Sequence, residues 1–211
     1  MASIRLLALS LLLALAITPA AAQQRSTITL LHFSDYHSHA VPFYSEGQAD
    51  SAGIGRLIAY LQPYATDPTA LIFNGGDTMN LGTPAWSDKY QCAEWPWFNG
   101  IVDAMAYGNH DSDYGPDVFA DCRKQVDYPI LSANTLDNNG QPLFTTGGKT
   151  YKVFEVSGQR IGVFALAGAD FERLIGAKLR PATGATFADR VATARAVVAA
   201  LRDQEKVNAV V

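Results

Sequence analysis

Three short segments combine metal-seeking side chains with the abrupt end of an apolar run. Asp35-Tyr36-His37 comes just after an apolar stretch ending at Phe33. Gly75-Gly76-Asp77-Thr78 comes after one ending at Phe73, and Gly108-Asn109-His110-Asp111 after one ending at Tyr107. Carboxylate and amide oxygens suit hard divalent cations, and imidazole suits zinc or a similar borderline metal. A carboxylate has two acceptor oxygens and can bridge two cations. Two divalent cations about 3.5–4 Å apart can clamp the attacking and leaving oxygens of a phosphoryl displacement. Each segment alone has a plainer reading. An Asp after a strand is usually a turn or capping residue, a lone His is usually structural, and GGD is usually a turn. Three ligand-rich loops, each after an apolar strand, point instead to a metal centre.

The elements that must position these loops alternate in type. Thr27 to Phe33, Ala70 to Phe73, Ile101 to Tyr107 and Tyr128 to Ala133 are apolar and read as strands. Ser51 to Tyr64 places Ile54, Leu57, Ile58 and Leu61 at helical spacing, and Asp117 to Val126 reads as a second helix behind Gly115-Pro116. Asn138-Asn139-Gly140 is a turn. Tyr151 to Val156 and Arg160 to Leu166 form a hairpin about Ser157-Gly158-Gln159. Ala188 to Glu205 is a long helix pattern, and Val207 to Val211 is a further strand. Leu81 to Phe98, with Trp86, Trp95 and Trp97, reads as an inserted loop, packed by its own aromatics or forming a wall over the substrate. Alternating strands and helices imply a layered α/β fold, in which ligands bind past the carboxyl ends of the strands.

The chain has 211 residues, 48% of them hydrophobic, and a net charge of -4. It can build a sizeable core and lacks the basic excess of a nucleic-acid binder. Arg5, the apolar run Leu6 to Ile17 and the small residues Pro19 to Ala22 read as a secretory signal peptide over residues 1–22. The run is shorter than the roughly 20 residues of a spanning helix, which argues against a retained anchor. Export to a periplasmic or extracellular compartment allows the two cysteines, Cys92 and Cys122, to pair. Two free buried thiols are the alternative.

The run Leu30 to His37, then Asn74 to Thr78, then Val102 to Asp111 with its GNHD sequence, resembles the 5′-nucleotidase branch of the calcineurin-like metallophosphoesterases. Ile130-Leu131-Ser132-Ala133-Asn134 and the Arg160 to Phe164 strand fit that branch as well. The resemblance covers nearly all of residues 23–211, the catalytic domain. It implies a metallophosphoesterase fold of β-sheets flanked by helices, two divalent metal ions, and hydrolysis of a small-molecule phosphate ester by metal-activated water. Nucleoside 5′-phosphates are the first substrate class implied. It also implies roles for individual residues. Asp35 and His37 would bind one metal, Asp77 would bridge both, and Asn109 would bind the second. His110 would meet the phosphate, and Asp113 would orient it. A carboxylate on one imidazole nitrogen fixes the tautomer and supports the imidazolium, an independent reason for Asp113; a helix-entry role is its alternative. His39 reads as a loop or supporting residue, His32 as a structural hydrogen-bonding residue, and Asp111 has no direct ligand role.

The donor set falls short. Two cations need roughly four to six ligands each. The family supplies later histidines, whereas His110 is the last of four here. The expectation is therefore a C-terminally incomplete catalytic domain, without the substrate-binding domain of full-length relatives. Two alternatives follow: a hydrolase on the same scaffold acting on a cyclic nucleotide, a sugar nucleotide or a sulfur-linked group, or a fragment that binds metal without turnover.

Overall fold

A computed structural model describes residues 27–51, 53–82 and 87–211. The expected signal peptide and Trp86 lie outside the described residues. No helix among the described residues is long and apolar enough to cross a membrane.

The sheet that carries the three motifs is parallel throughout. It consists of β1 (Thr29–Phe33), β4 (Ala70–Asn74), β5 (Ala104–Ala106) and β6 (Ile130–Leu131), in the order β1-β4-β5-β6. The parallel register aligns Phe33 with Asn74, and Asn74 with Met105. All three motif loops therefore leave the same edge, side by side. A second sheet has the order β11-β9-β8, where β8 (Lys152–Val156) and β9 (Gln159–Val163) are the expected hairpin. The strand β11 (Ala209–Val210) joins β9 in parallel. Two small antiparallel pairs complete the strands: β2 (Phe43–Ser45) with β3 (Gln48–Ser51), and β7 (Thr135–Leu136) with β10 (Thr186–Phe187).

Side-chain alternation along a strand explains the layers. Along β4, Leu71 and Phe73 join Ala104, Leu131, Val156, Ile161 and Val163 in a core between the two sheets. Ile72, between them, faces the other way into the main core with Leu61, Met79, Trp95, Phe98 and Met105. That core lies under the helices α1 (Ile54–Ala65), α3 (Pro116–Arg123) and α4 (Phe171–Thr183). On the outer face of the second sheet, α5 (Arg190–Asp203) buries Val197 and Leu201 against Ala133 and Tyr151. Its first turn is capped by Asp189, whose carboxylate accepts the Ala192 N–H at 2.7 Å.

Several sequence expectations are trimmed or extended. The strand expected over Ile101 to Tyr107 is confined to 104–106, because Ile101 and Val102 both donate to Phe98 O in a turn that closes the short 3-10 helix Trp95–Phe98. Trp95 and Phe98 are core residues, whereas Trp97 is exposed. The helix α4 has no counterpart in the sequence reading. Its signal was the spacing of Phe171, Ile175 and Leu179, and Gly184 ends it in the left-handed C-cap conformation. A short helix, α2 (Ser87–Tyr90), leads into the Trp95 segment. This stretch is tied to α3 by a Cys92–Cys122 disulfide with Cα atoms 5.6 Å apart. Closing that 30-residue span removes unfolded-state entropy worth about 3–4 kcal/mol in the chain-entropy description.

Candidate metal centre

The loops after β1 and β4 extend the strand pairing beyond the sheet. Asp35 N donates to Gly76 O at 3.0 Å, His37 N to Asp77 O at 2.9 Å, and Ser38 N to Thr78 O at 3.0 Å. Between the two donor residues, Tyr36 is buried and packs edge-on against Phe98, with ring centroids 5.8 Å apart. This anchor leaves Asp35 and His37 on the outer side. Asp35, His37 and Asp77 all have positive φ, at 56°, 48° and 55°. A left-handed conformation costs a non-glycine residue roughly 1–2 kcal/mol, and such residues gather where a site must aim its side chains.

The donor atoms of Asp35, His37 and Asp77 lie within 4.8 Å of one another. His37 Nε2 is 3.4 Å from Asp35 Oδ1 and 3.9 Å from Asp77 Oδ2. Two carboxylates and an imidazole converging in this way form a donor set that suits a divalent cation. Exposure is graded: 65% for the Asp35 side chain, 20% for His37 and 15% for Asp77. The cluster therefore opens to solvent on the Asp35 side.

The third loop locks onto the second. His110 N donates to Asp77 Oδ1 at 2.8 Å, which fixes that oxygen and leaves Oδ2 facing His37. Asn109 is half-buried on this loop, immediately before His110. The His110 ring lies edge-on to His37, with centroids 4.9 Å apart. Its Nδ1 is 2.7 Å from Asp113 Oδ2, and the Asp113 side chain is only 3% exposed. Burial pushes the Asp113 carboxyl up, but hydrogen bonds from Lys178, His110 and the Leu81 N–H outweigh this, and the net result lies below the usual carboxylate range. Held as a carboxylate, Asp113 keeps the proton on Nδ1 and leaves Nε2 as the acceptor nitrogen of the neutral ring.

The contact between these two loops is backbone against backbone. A Cβ on Gly76 would lie 2.6 Å from Gly108 N, and one on Gly108 would lie 2.1 Å from Asp77 N. Glycine is required at both positions for room, and at Gly76 also for its φ of +95°.

Asp111 holds this contact together. It is fully buried, and its Oδ2 accepts the N–H groups of Gly108 at 2.8 Å and Asp77 at 3.1 Å. Its Oδ1 accepts those of Thr78 at 2.8 Å and Met79 at 3.4 Å. Burial drives its carboxyl up to about 7, with a smaller push from the Asp77 charge, against the downward pull of the Gly108, Thr78 and Met79 N–H groups. Sequence reading gave Asp111 no ligand role and no other. The available signal was a carboxylate three residues past a glycine in a ligand loop.

The other two histidines stand outside the cluster. His39 donates from Nδ1 to Tyr36 O at 3.0 Å and packs on Phe43, as a loop-supporting residue would. His32 is exposed on β1 with its Nε2 close over Gly75, and among the described residues its ring forms no hydrogen bond, contrary to the expected structural role. Sequence reasoning also missed Lys178 of α4, whose ammonium contacts Asp113 Oδ1.

No family model matches the chain. It is 31% identical over 195 residues to a 5′-nucleotidase of Vibrio vulnificus, covering 88% of this chain and 33% of the relative. The crystal structure of a 5′-nucleotidase precursor from Thermus thermophilus superposes with a TM-score of 0.70 at 28% identity, over 88% of this chain and 36% of that one. A calcineurin-like phosphoesterase from Bacillus subtilis, YfkN, shares the fold with a TM-score of 0.67 at 18% identity, over 87% of this chain and 60% of that one. The chain spans about a third of the length of the curated relatives it matches.

Proposed function

We propose that the chain belongs to the 5′-nucleotidase branch of the calcineurin-like metallophosphoesterases and forms part of the catalytic centre of an exported phosphoesterase acting on nucleoside 5′-phosphates. One observation carries this reading. Asp35, His37 and Asp77 bring their donor atoms within 4.8 Å of one another, and the His110–Asp113 pair lies against them.

Asp35, His37 and Asp77 would hold one cation, and Asp77 with Asn109 would hold a second. Divalent cations in such a site polarise the phosphoryl group and make water nucleophilic near neutral pH. The protein's own part is positional and electrostatic. His110, with Nδ1 occupied by Asp113, presents Nε2 to a phosphate oxygen, where it can stabilise developing negative charge or protonate the leaving oxygen. The rigid backbone contact at Gly76 and Gly108 keeps His110 and the Asp77 carboxylate in register. Export is supported by the signal-like sequence of residues 1–22 and by the Cys92–Cys122 disulfide, which suits an oxidising compartment.

The test uses the full-length protein that contains this chain. With added manganese or zinc it should release phosphate from a nucleoside 5′-phosphate, and Asp77→Ala should reduce the rate to background. Equal rates for the two proteins at saturating metal would sink the proposal.

A further inference from the structure

We propose that Lys178 is a positioning residue for the His110–Asp113 pair: it pins one oxygen of Asp113 so that the other stays on His110 Nδ1. This rests on the reading of His110 as the group that meets the phosphate. The partners around Asp113 divide between its two oxygens. Oδ2 takes His110 Nδ1 at 2.7 Å and the Leu81 N–H at 3.1 Å. Oδ1 takes the Lys178 ammonium. The carboxylate is nearly inaccessible to water, whereas the Lys178 side chain is 42% exposed.

A buried carboxylate must have its charge matched and its lone pairs filled. Among the described residues, Lys178 is the lysine or arginine that contacts Asp113. Without it, Oδ1 loses its donor. The carboxyl group can then rotate toward solvent or take up a proton, and either change weakens its hold on Nδ1–H. His110 would be free to turn about its side-chain bonds, and its Nε2 would lose a fixed direction.

The arrangement is tertiary. Lys178 is 65 residues from Asp113 and lies on α4, a helix that contributes no donor to the Asp35–His37–Asp77 cluster. α4 is held by Phe171, Ile175 and Leu179 in the main core and packs against α3, just past Asp113. Lys178 sits beside that apolar stripe, so core packing of the helix sets the distance at which its ammonium reaches Asp113. Lys178 acts on the orientation of the imidazole and is assigned no contact with substrate.

The test compares wild type, Lys178→Met, Lys178→Gln, Lys178→Arg and Asp113→Asn in the full-length protein. Two readouts are needed: steady-state kinetics of phosphate release, and the low-field proton resonance of the His110 imidazole N–H, assigned by its loss in His110→Ala. Loss of a partner that orients a site residue typically costs 10–100-fold. Lys178→Met and Lys178→Gln should therefore lower kcat by about tenfold or more, with KM changed by less than about threefold. The His110 N–H resonance should shift or vanish in both, as in Asp113→Asn, and Lys178→Arg should keep most of the rate and the resonance. Wild-type kcat together with an unchanged resonance in both neutral variants would overturn the proposal. So would a raised KM with kcat and resonance intact, which would make Lys178 a phosphate contact. If the wild-type protein releases no phosphate with any metal, the functional reading fails. The resonance comparison still decides whether Lys178 holds the pair.

Discussion

Gly108→Ala is the sharpest test of how the centre is built. The residue has no positive φ, so alanine meets no backbone penalty there and only room is at issue. The added Cβ would stand 2.1 Å from Asp77 N, 2.3 Å from Asp77 Oδ1 and 2.9 Å from Asp111 Oδ2. Ordinary contacts of this kind begin at 3.4 Å, so the loops would have to part by about 1 Å. None of the three atoms belongs to a flexible tip, since all are fixed by the hydrogen bonds of Asp111 and His110. Overpacking of a tight contact costs about 1–3 kcal/mol, and each hydrogen bond to a charged acceptor lost in the separation adds about 1.5–3 kcal/mol. The expected destabilisation is about 3–5 kcal/mol, measured as a lowered denaturant midpoint. A shift of about 1 Å between Asp77 and His110 should also lower phosphate release by about a hundredfold in whatever fraction stays folded. Gly55→Ala is the matched control. It lies in α1, nothing stands within 4 Å of its added Cβ, and it should be neutral or stabilising by up to about 1 kcal/mol. A Gly108→Ala protein with the midpoint and rate of wild type would refute the close-contact reasoning.

Above about pH 7, where the Asp111 carboxyl is ionised, Asp111→Asn should destabilise the protein by about 3 kcal/mol or more, because an amide NH₂ would face two of the N–H groups that the carboxylate accepts; chemical denaturation of variant and wild type measures it, and unchanged stability would remove Asp111 as the tie between the loops. Asp113 has a folded pKa below its ordinary value, so its contribution to stability is fully present above that ordinary value and is lost as pH falls through the folded pKa. Asp113→Asn should therefore be less stable than wild type at neutral pH, with the gap closing below about pH 4; a gap that stays constant from neutral pH down to about pH 3 would contradict this.

The parts of the centre carried by local sequence were legible. Apolar runs ended by Gly75-Gly76 and Gly108 mark strand ends, and the donors stand in the next few residues. The parallel sheet then brings them to one edge, as alternating strands and helices imply. Helix α4 carries the helical spacing of Phe171, Ile175 and Leu179, but Gly176 and Pro181 lower its helix propensity and mask that signal. The short extent of β5 was hidden too. Asp103 meets the edge of β4 through its carboxylate, which accepts the Ile72 N–H at 2.7 Å, and no propensity scale registers that contact.

Residue types at the strand ends, and so the chemistry available there, are written in the primary structure: two carboxylates and an imidazole for a cation, and an imidazole with a carboxylate three residues on. How these groups face one another is a product of folding. Packing of the loops puts Asp77 Oδ1 on the His110 N–H and lets Asp111 stitch together two loops that are distant in the chain. It also brings Lys178 to Asp113 from a helix with no sequence link to the motifs. Donor type is a property of single residues, whereas burial and pairing of charge depend on which distant segments the core holds together.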